Sequence, residues 1–114
     1  MSEGLSNKLK VAISTDFFNS FLTVPRHEQA KVIDFITKFK ANPMAPGINY
    51  EKINDACDKN IHSVRIDQKY RGIVLKPSEG NVYLLLWVDV HDKAYEWAKK
   101  KKCIVNTAVG SVQV

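Results

Sequence analysis

Residues 61–98 read IHSVRIDQKYRGIVLKPSEGNVYLLLWVDVHDKAYEWA, and this stretch decides the architecture. Ile61–Ile66 alternates, with Ile61, Ser63 and Arg65 on one side and His62, Val64 and Ile66 on the other, as in a strand. Asp67-Gln68-Lys69 is a short turn, and Tyr70–Lys76 is the next strand. The cluster Pro77-Ser78-Glu79-Gly80-Asn81 is a strong turn signal. Val82–Val90 is almost wholly apolar, which suits a central strand covered on both faces. Asp92 opens a helix to about Lys101, with Ala94, Tyr95 and Ala98 inward and Trp97 beside them. The lysines at its end complement the helix dipole. Cations and imidazoles run along the stretch as His62, Arg65, Lys69, Arg71 and His91. A twisted antiparallel sheet with cations on one face suits a polyanion, and imidazoles there can move protons.

The preceding half reads as scaffold. Lys8–Ser14 has β-type residues and suits an edge strand. Ser14 or Thr15 can cap a short helix, with Asp16 in its first turn and Phe17, Phe18, Phe21 and Leu22 at one-turn spacing. Pro25 suits the start of a second helix. There Val32, Phe35, Ile36 and Phe39 form an apolar face that ends at Asn42-Pro43. The expectation is a helical hairpin laid on the sheet by its aromatic side. Residues 43–50 are loop, and Glu51–Asn60 is a connector, either short helix or extended. Cys103–Val114 reads as two short β segments around a turn near Gly110. The order β-α-α-β-β-β-α gives an α+β class, with helices packed on a small antiparallel sheet and a short β extension at the end.

The chain has 114 residues, 45% of them hydrophobic, enough for one domain with a real core. Its formal net charge is +5, and the excess lies in residues 59–114, since residues 1–58 carry equal numbers of acids and bases. That asymmetry points to an acidic partner, nucleic acid first and an acidic protein second. Cys57 and Cys103 lie far apart and outside ligand spacing, so no metal is expected, and reduced thiols fit a cytoplasmic location. No apolar run is long enough to span a membrane, and no glycine-rich phosphate loop or other cofactor motif is present. The apolar ending GSVQV reads as the edge of a domain cut from a longer protein.

Asn42-Pro43 and Pro46-Gly47, then SVRIDQKYRGIVLK and VYLLLWVDVH with Tyr95 following, resemble the RelE/ParE toxin superfamily over roughly residues 8–98. The segment WVDVHDKAYEWAKKKK and the final GSVQV are similar to the RelE-like domain found ahead of UvrD-type helicases. The resemblance implies a metal-independent, ribosome-dependent mRNA endonuclease, with mRNA, the ribosome and an antitoxin protein as partners. Two other readings stay open. One is a non-catalytic nucleic-acid- or protein-binding accessory domain of a covalently linked helicase. The other is a ParE-like gyrase inhibitor. By the same resemblance Arg71 takes the phosphate-stabilising position, and Tyr95 takes a stacking or proton role. His62 on the preceding strand is a candidate base, and His91 is a further catalytic candidate. Arg65, Lys69 and the run Lys99, Lys100, Lys101 and Lys102 would hold nucleic acid. Many of the toxins carry a second arginine just after the last strand, where this chain has His91-Asp92.

Overall fold

The computed structural model describes residues 9–54, 56 and 58–100, together with the backbone of 105–106 and 111–112. A five-stranded sheet has the order β1-β5-β4-β3-β2, formed by β1 (Lys10–Ile13), β2 (Tyr50–Lys52), β3 (Ile61–Arg65), β4 (Tyr70–Leu75) and β5 (Val82–Val90). Helices α1 (Thr15–Thr23) and α2 (Arg26–Ala41) cover one face, and α3 (His91–Lys100) covers the other. The short strands β6 (Val105–Asn106) and β7 (Ser111–Val112) pair antiparallel, as the terminal β segments suggested. Cys57, Cys103, Gly110, Lys101 and Lys102 lie outside the described residues.

The expected α+β layering is present, with two refinements. The sheet is mixed rather than wholly antiparallel, because β1 runs parallel to β5, Lys10 facing Val82 and Ile13 facing Leu85. Within the uncertain connector, Tyr50–Lys52 forms an edge strand that pairs antiparallel with β3, so that Glu51 stands opposite Ser63.

The apolar run of β5 buries both faces through a bulge. Between Ile73 and Val74 of β4 the register shifts, and β5 gains one residue. Tyr83, Leu85 and Val88 join the core under α1 and α2, while Leu86 lies in the core under α3 with Leu84 and Trp87 packed against it. Leu86 and Trp87 therefore share a face, where strict alternation would place them on opposite ones. The first core centres on Phe17, Val32, Phe35 and Phe39. Phe35 and Phe39 stack with ring centres 5.4 Å apart, and Tyr83 meets Phe39 edge-on at 6.0 Å. Phe18 and Leu22, expected on the inner face of α1, instead point outward and are more than half exposed. The nine-residue helix is held by Phe17 and Ser20.

Ser14 caps α1, its Oγ accepting from the Phe17 amide at 3.0 Å. The same hydroxyl donates to the Leu86 carbonyl at 3.3 Å. Ser20 Oγ donates to the Phe17 carbonyl at 2.9 Å and accepts from the Val88 amide at 3.0 Å. β1 pairs with β5 only as far as Leu85, so these two buried serines continue the hydrogen bonding of β5 through its bulge. Gly72 lies beneath Val64, and an added Cβ there would come within 3.1 Å of the valine Cγ2. Gly80 adopts φ +88° in the β4–β5 turn, a conformation that favours glycine.

Ser20→Ala removes the acceptor for a buried amide without changing the apolar packing. It is expected to lower stability by about 1–3 kcal/mol, read as a lower urea midpoint at unchanged slope. Ser20→Thr, which keeps the hydroxyl, should lose less.

Candidate functional site

The face of the sheet under α3 carries a polar constellation centred on Tyr95. Antiparallel pairing sets Glu51 opposite Ser63, Arg65 opposite Arg71, and Arg71 opposite Asp89. Directly opposed residues project from the same face, so β2, β3, β4 and β5 each deliver a polar side chain beneath α3. Tyr95 is one turn into α3 and projects back onto this row. Its hydroxyl lies 2.8 Å from Ser63 Oγ and donates to Glu51 Oε1 at 2.8 Å. Ser63 is only 1% exposed, and this contact supplies its buried hydroxyl with a partner.

The remaining groups gather round the same ring. The His91 imidazole stacks on Tyr95 with centres 4.5 Å apart, and its Nδ1 lies 3.0 Å from Asp92 Oδ1. Arg71 is half-buried, and its Nη1 donates to the carbonyls of Asp67 at 2.7 Å and Tyr70 at 3.0 Å, with Gln68 at 3.4 Å. The guanidinium is thereby held at the end of the sheet, near enough to Tyr95 to favour its phenolate. That influence is outweighed, because burial of the phenol and the carboxylate of Glu51 push the Tyr95 pKa upward. At neutral pH Tyr95 is therefore a hydrogen-bond donor. A groove of about 410 Å³ runs from His91, Asp92 and Tyr95 to Glu96, Lys99 and Lys100.

Arg71, His91 and Tyr95 thus come together as three of the four proposed catalytic residues. His62 does not join them. It lies one residue from Ser63 on β3 and faces the other side of the sheet, against the Tyr50 ring at 5.9 Å. Lys69 likewise turns away, since its Nζ lies 3.5 Å from Glu28 of α2 and 5.5 Å from the Tyr70 ring centre. Arg65 is exposed at the end of β3, between Arg71 and a cavity beside α2. Lys99 and Lys100 line the groove beside Tyr95, with Lys100 also paired to Glu96 at 3.2 Å. Glu51 and Ser63 are the additions that the structure makes. The only sign of Ser63 in the sequence was a small polar residue in step with Ile61, and Glu51 sat in a connector of undefined register. Among the described residues, no group of three or more His, Cys, Asp or Glu side chains is placed to share a metal ion. None of their helices is long and apolar enough to cross a membrane.

No family model matches the chain, and no curated protein matches it in sequence. Its fold does match solved structures of RelE-like proteins. The RelB–RelE antitoxin–toxin complex from Methanococcus jannaschii is similar with TM-score 0.58 and 16% identity, over 75% of this chain and 96% of that one. The RelBE2 toxin–antitoxin complex from Mycobacterium tuberculosis gives TM-score 0.56 and 18% identity, over 73% and 98%. The YoeB/ParE toxin from Agrobacterium tumefaciens gives TM-score 0.54 and 16% identity, over 73% and 99%. The architecture, two helices on one face of a five-stranded mixed sheet and a C-terminal helix on the other, is the RelE-like toxin fold.

All four tyrosines ionise less readily than a free phenol, with burial the largest cause for each, and Tyr70 is pushed up to about 12. The unfolded chain loses these protons near pH 10, so above that pH the folded chain binds more protons than the unfolded one. Unfolding free energy should therefore fall as pH rises from about 10 towards 12, and the contribution should be fully present below 10. Urea midpoints at pH 8 and above check this. Tyr95→Phe should show a shallower alkaline loss than the parent chain.

Proposed function

We propose that this chain is a RelE-like toxin-type domain that acts on RNA, cleaving the strand at the Tyr95 face without a metal. The observation that carries the reading is the meeting of a carboxylate and an imidazole on one phenol, with a guanidinium on the same face of the sheet. This set matches what a ribose 2′-OH attack requires. In the proposed step the Glu51 carboxylate takes the proton from the 2′-OH, and the 2′-oxygen attacks the adjacent phosphorus. The bond from phosphorus to the 5′-oxygen breaks, and the protonated His91 imidazole delivers a proton to that leaving oxygen. The products are a 2′,3′-cyclic phosphate and a 5′-hydroxyl end. Arg71, with Arg65 beside it, offsets the negative charge that builds on the phosphorane. Tyr95 aligns Glu51 through its hydroxyl and supports His91 through its ring, and Lys99 and Lys100 in the groove attract the flanking phosphates.

The ribosome as the place of action, mRNA as substrate and an antitoxin as inhibitory partner belong to the same proposal, which places the protein in the cytoplasm. Two of the three neighbours described above, those from Methanococcus jannaschii and Mycobacterium tuberculosis, are complexes of a toxin with an antitoxin. One feature favours a second reading, a nucleic-acid-binding accessory domain that does not cleave. Nη1 of Arg71 is engaged by backbone carbonyls, and His91 is partnered by Asp92. A surface with its cations held in this way can bind phosphate without turning it over.

Primer extension on a reporter mRNA in cells expressing the chain separates the two. New ends within the translated region, reduced about 100-fold in Arg71→Ala, are expected of the enzyme. Intact mRNA, with salt-dependent RNA affinity retained by the purified chain, would leave the binding reading as the better account.

A further inference from the structure

His62 was marked by its place on the central stretch, yet the face it occupies is remote from Tyr95. It lies in an open cavity of about 310 Å³, lined by Lys52, Lys59, Asn60, His62, Lys76, Pro77 and Ser78. Pairing brings these groups together, since Lys52 stands opposite His62 across β2 and β3, and His62 stands opposite Val74, two residues before Lys76. The side chains are held in place. The Lys76 ammonium sits 4.6 Å above the Tyr50 ring, and the same ring meets the His62 imidazole edge-on. His62 Nδ1 lies 2.9 Å from the Asn60 carbonyl oxygen, which can only accept, so Nδ1 carries the hydrogen of that bond. The Asn60 side-chain amide reaches Ser78 Oγ at 3.4 Å.

The described residues that line this cavity carry three ammonium groups and no carboxylate. Four described lysines meet carboxylates, Lys31 with Asp67, Lys38 with Asp34, Lys69 with Glu28 and Lys100 with Glu96, and the three lysines of this cavity are not among them. Among the described residues, no carboxylate lines this cavity and none is paired with Lys52, Lys59 or Lys76. Two of the nearby acids have partners of their own. Glu51 accepts from Tyr95 on the opposite face, and Asp58 accepts from the Asn60 amide. Three ammonium groups brought together without a counter-charge repel one another, and an anion among them removes that repulsion.

We propose that Lys52, Lys59 and Lys76, grouped around His62, form a phosphate-binding pocket on the face of the sheet opposite Tyr95. Its ligand is the phosphodiester backbone of a nucleic-acid strand. The pocket provides point-charge donors with no aromatic face open for stacking, since the Tyr50 ring is covered by Lys76 and flanked by His62. It therefore holds a strand without choosing its bases. The pocket is separate from the Tyr95 constellation, so its occupancy can be measured whether or not the chain cleaves RNA.

The test is a titration of the isotope-labelled chain, followed by amide shifts, with a twelve-nucleotide oligouridylate and separately with inorganic phosphate. The strand should shift Lys59, His62 and Ser78 at lower concentration than phosphate does. Lys52→Ala/Lys59→Ala, at two exposed positions, should weaken oligouridylate binding about tenfold and reduce the slope of log affinity against log salt by about 1.4. Lys52→Arg/Lys59→Arg should keep both. Shifts produced by inorganic phosphate and not by the strand would keep the phosphate chemistry and overturn the strand as its source. Unaltered affinity and slope in the alanine pair, or shifts confined to the Tyr95 face, would overturn the pocket.

Discussion

The fold depends on how β5 satisfies its backbone while both its faces are buried. A strand this apolar cannot leave amides or carbonyls unmet in the interior without a cost of about 1–3 kcal/mol for each. β1 meets those needs as far as Leu85, and beyond that point Ser14 and Ser20 of the first helical segment take over. The two serines therefore dock α1 and complete the sheet at once. They act where the bulge turns Leu86 and Trp87 to the same side. The parallel Trp87–Trp97 pair, 4.9 Å apart, then fastens α3 to that side. From this follows the position of Tyr95 over Ser63 and Glu51.

The two faces of the sheet have different chemistry for the same reason. Alternation along β3 sends Ser63 to one side and His62 to the other, and β2 does the same with Glu51 and Lys52. One side becomes an acid–phenol–imidazole arrangement under a helix. The other becomes a lysine-lined hollow beyond the end of the aromatic core. A one-residue slip of β2 would exchange Glu51 and Lys52 and abolish both. The loop before β2 guards against that slip, because Tyr50 donates to the Pro43 carbonyl at 2.7 Å and Tyr83 donates to Met44 Sδ at 2.9 Å.

Much of the architecture could be read from residue patterns. The alternation of Ile61–Ile66 and the helical face of Val32, Phe35 and Phe39 each carry a period that one element satisfies, and Pro77–Asn81 is rich in turn-forming residues. The direction of β1 carried no such mark, since pairing is a long-range choice. The bulge was hidden because an all-apolar strand looks the same with or without an extra residue. The helix α1 has more aromatic residues than one buried stripe can hold, so Phe18 and Leu22 remain outside. Arg71, His91 and Tyr95, grouped through the family resemblance of the strand and helix that bear them, lie on one side of the sheet. Glu51 was missed because β2 is three residues long and two of them are charged. His62 and Lys69 were grouped with Arg71 because charge along a sequence does not reveal which face a residue serves.

The central claim is that the Tyr95 face performs 2′-OH transesterification, and the chemistry of the cleaved ends tests it most directly. A short end-labelled mRNA on programmed ribosomes, incubated with the purified chain in a chelator compatible with ribosome integrity, would be analysed by mass spectrometry. The account predicts a 2′,3′-cyclic phosphate on the upstream fragment and a 5′-hydroxyl on the downstream one. Fragments with a 3′-hydroxyl and a 5′-phosphate, or an uncleaved message on ribosomes to which the chain is bound, would contradict it.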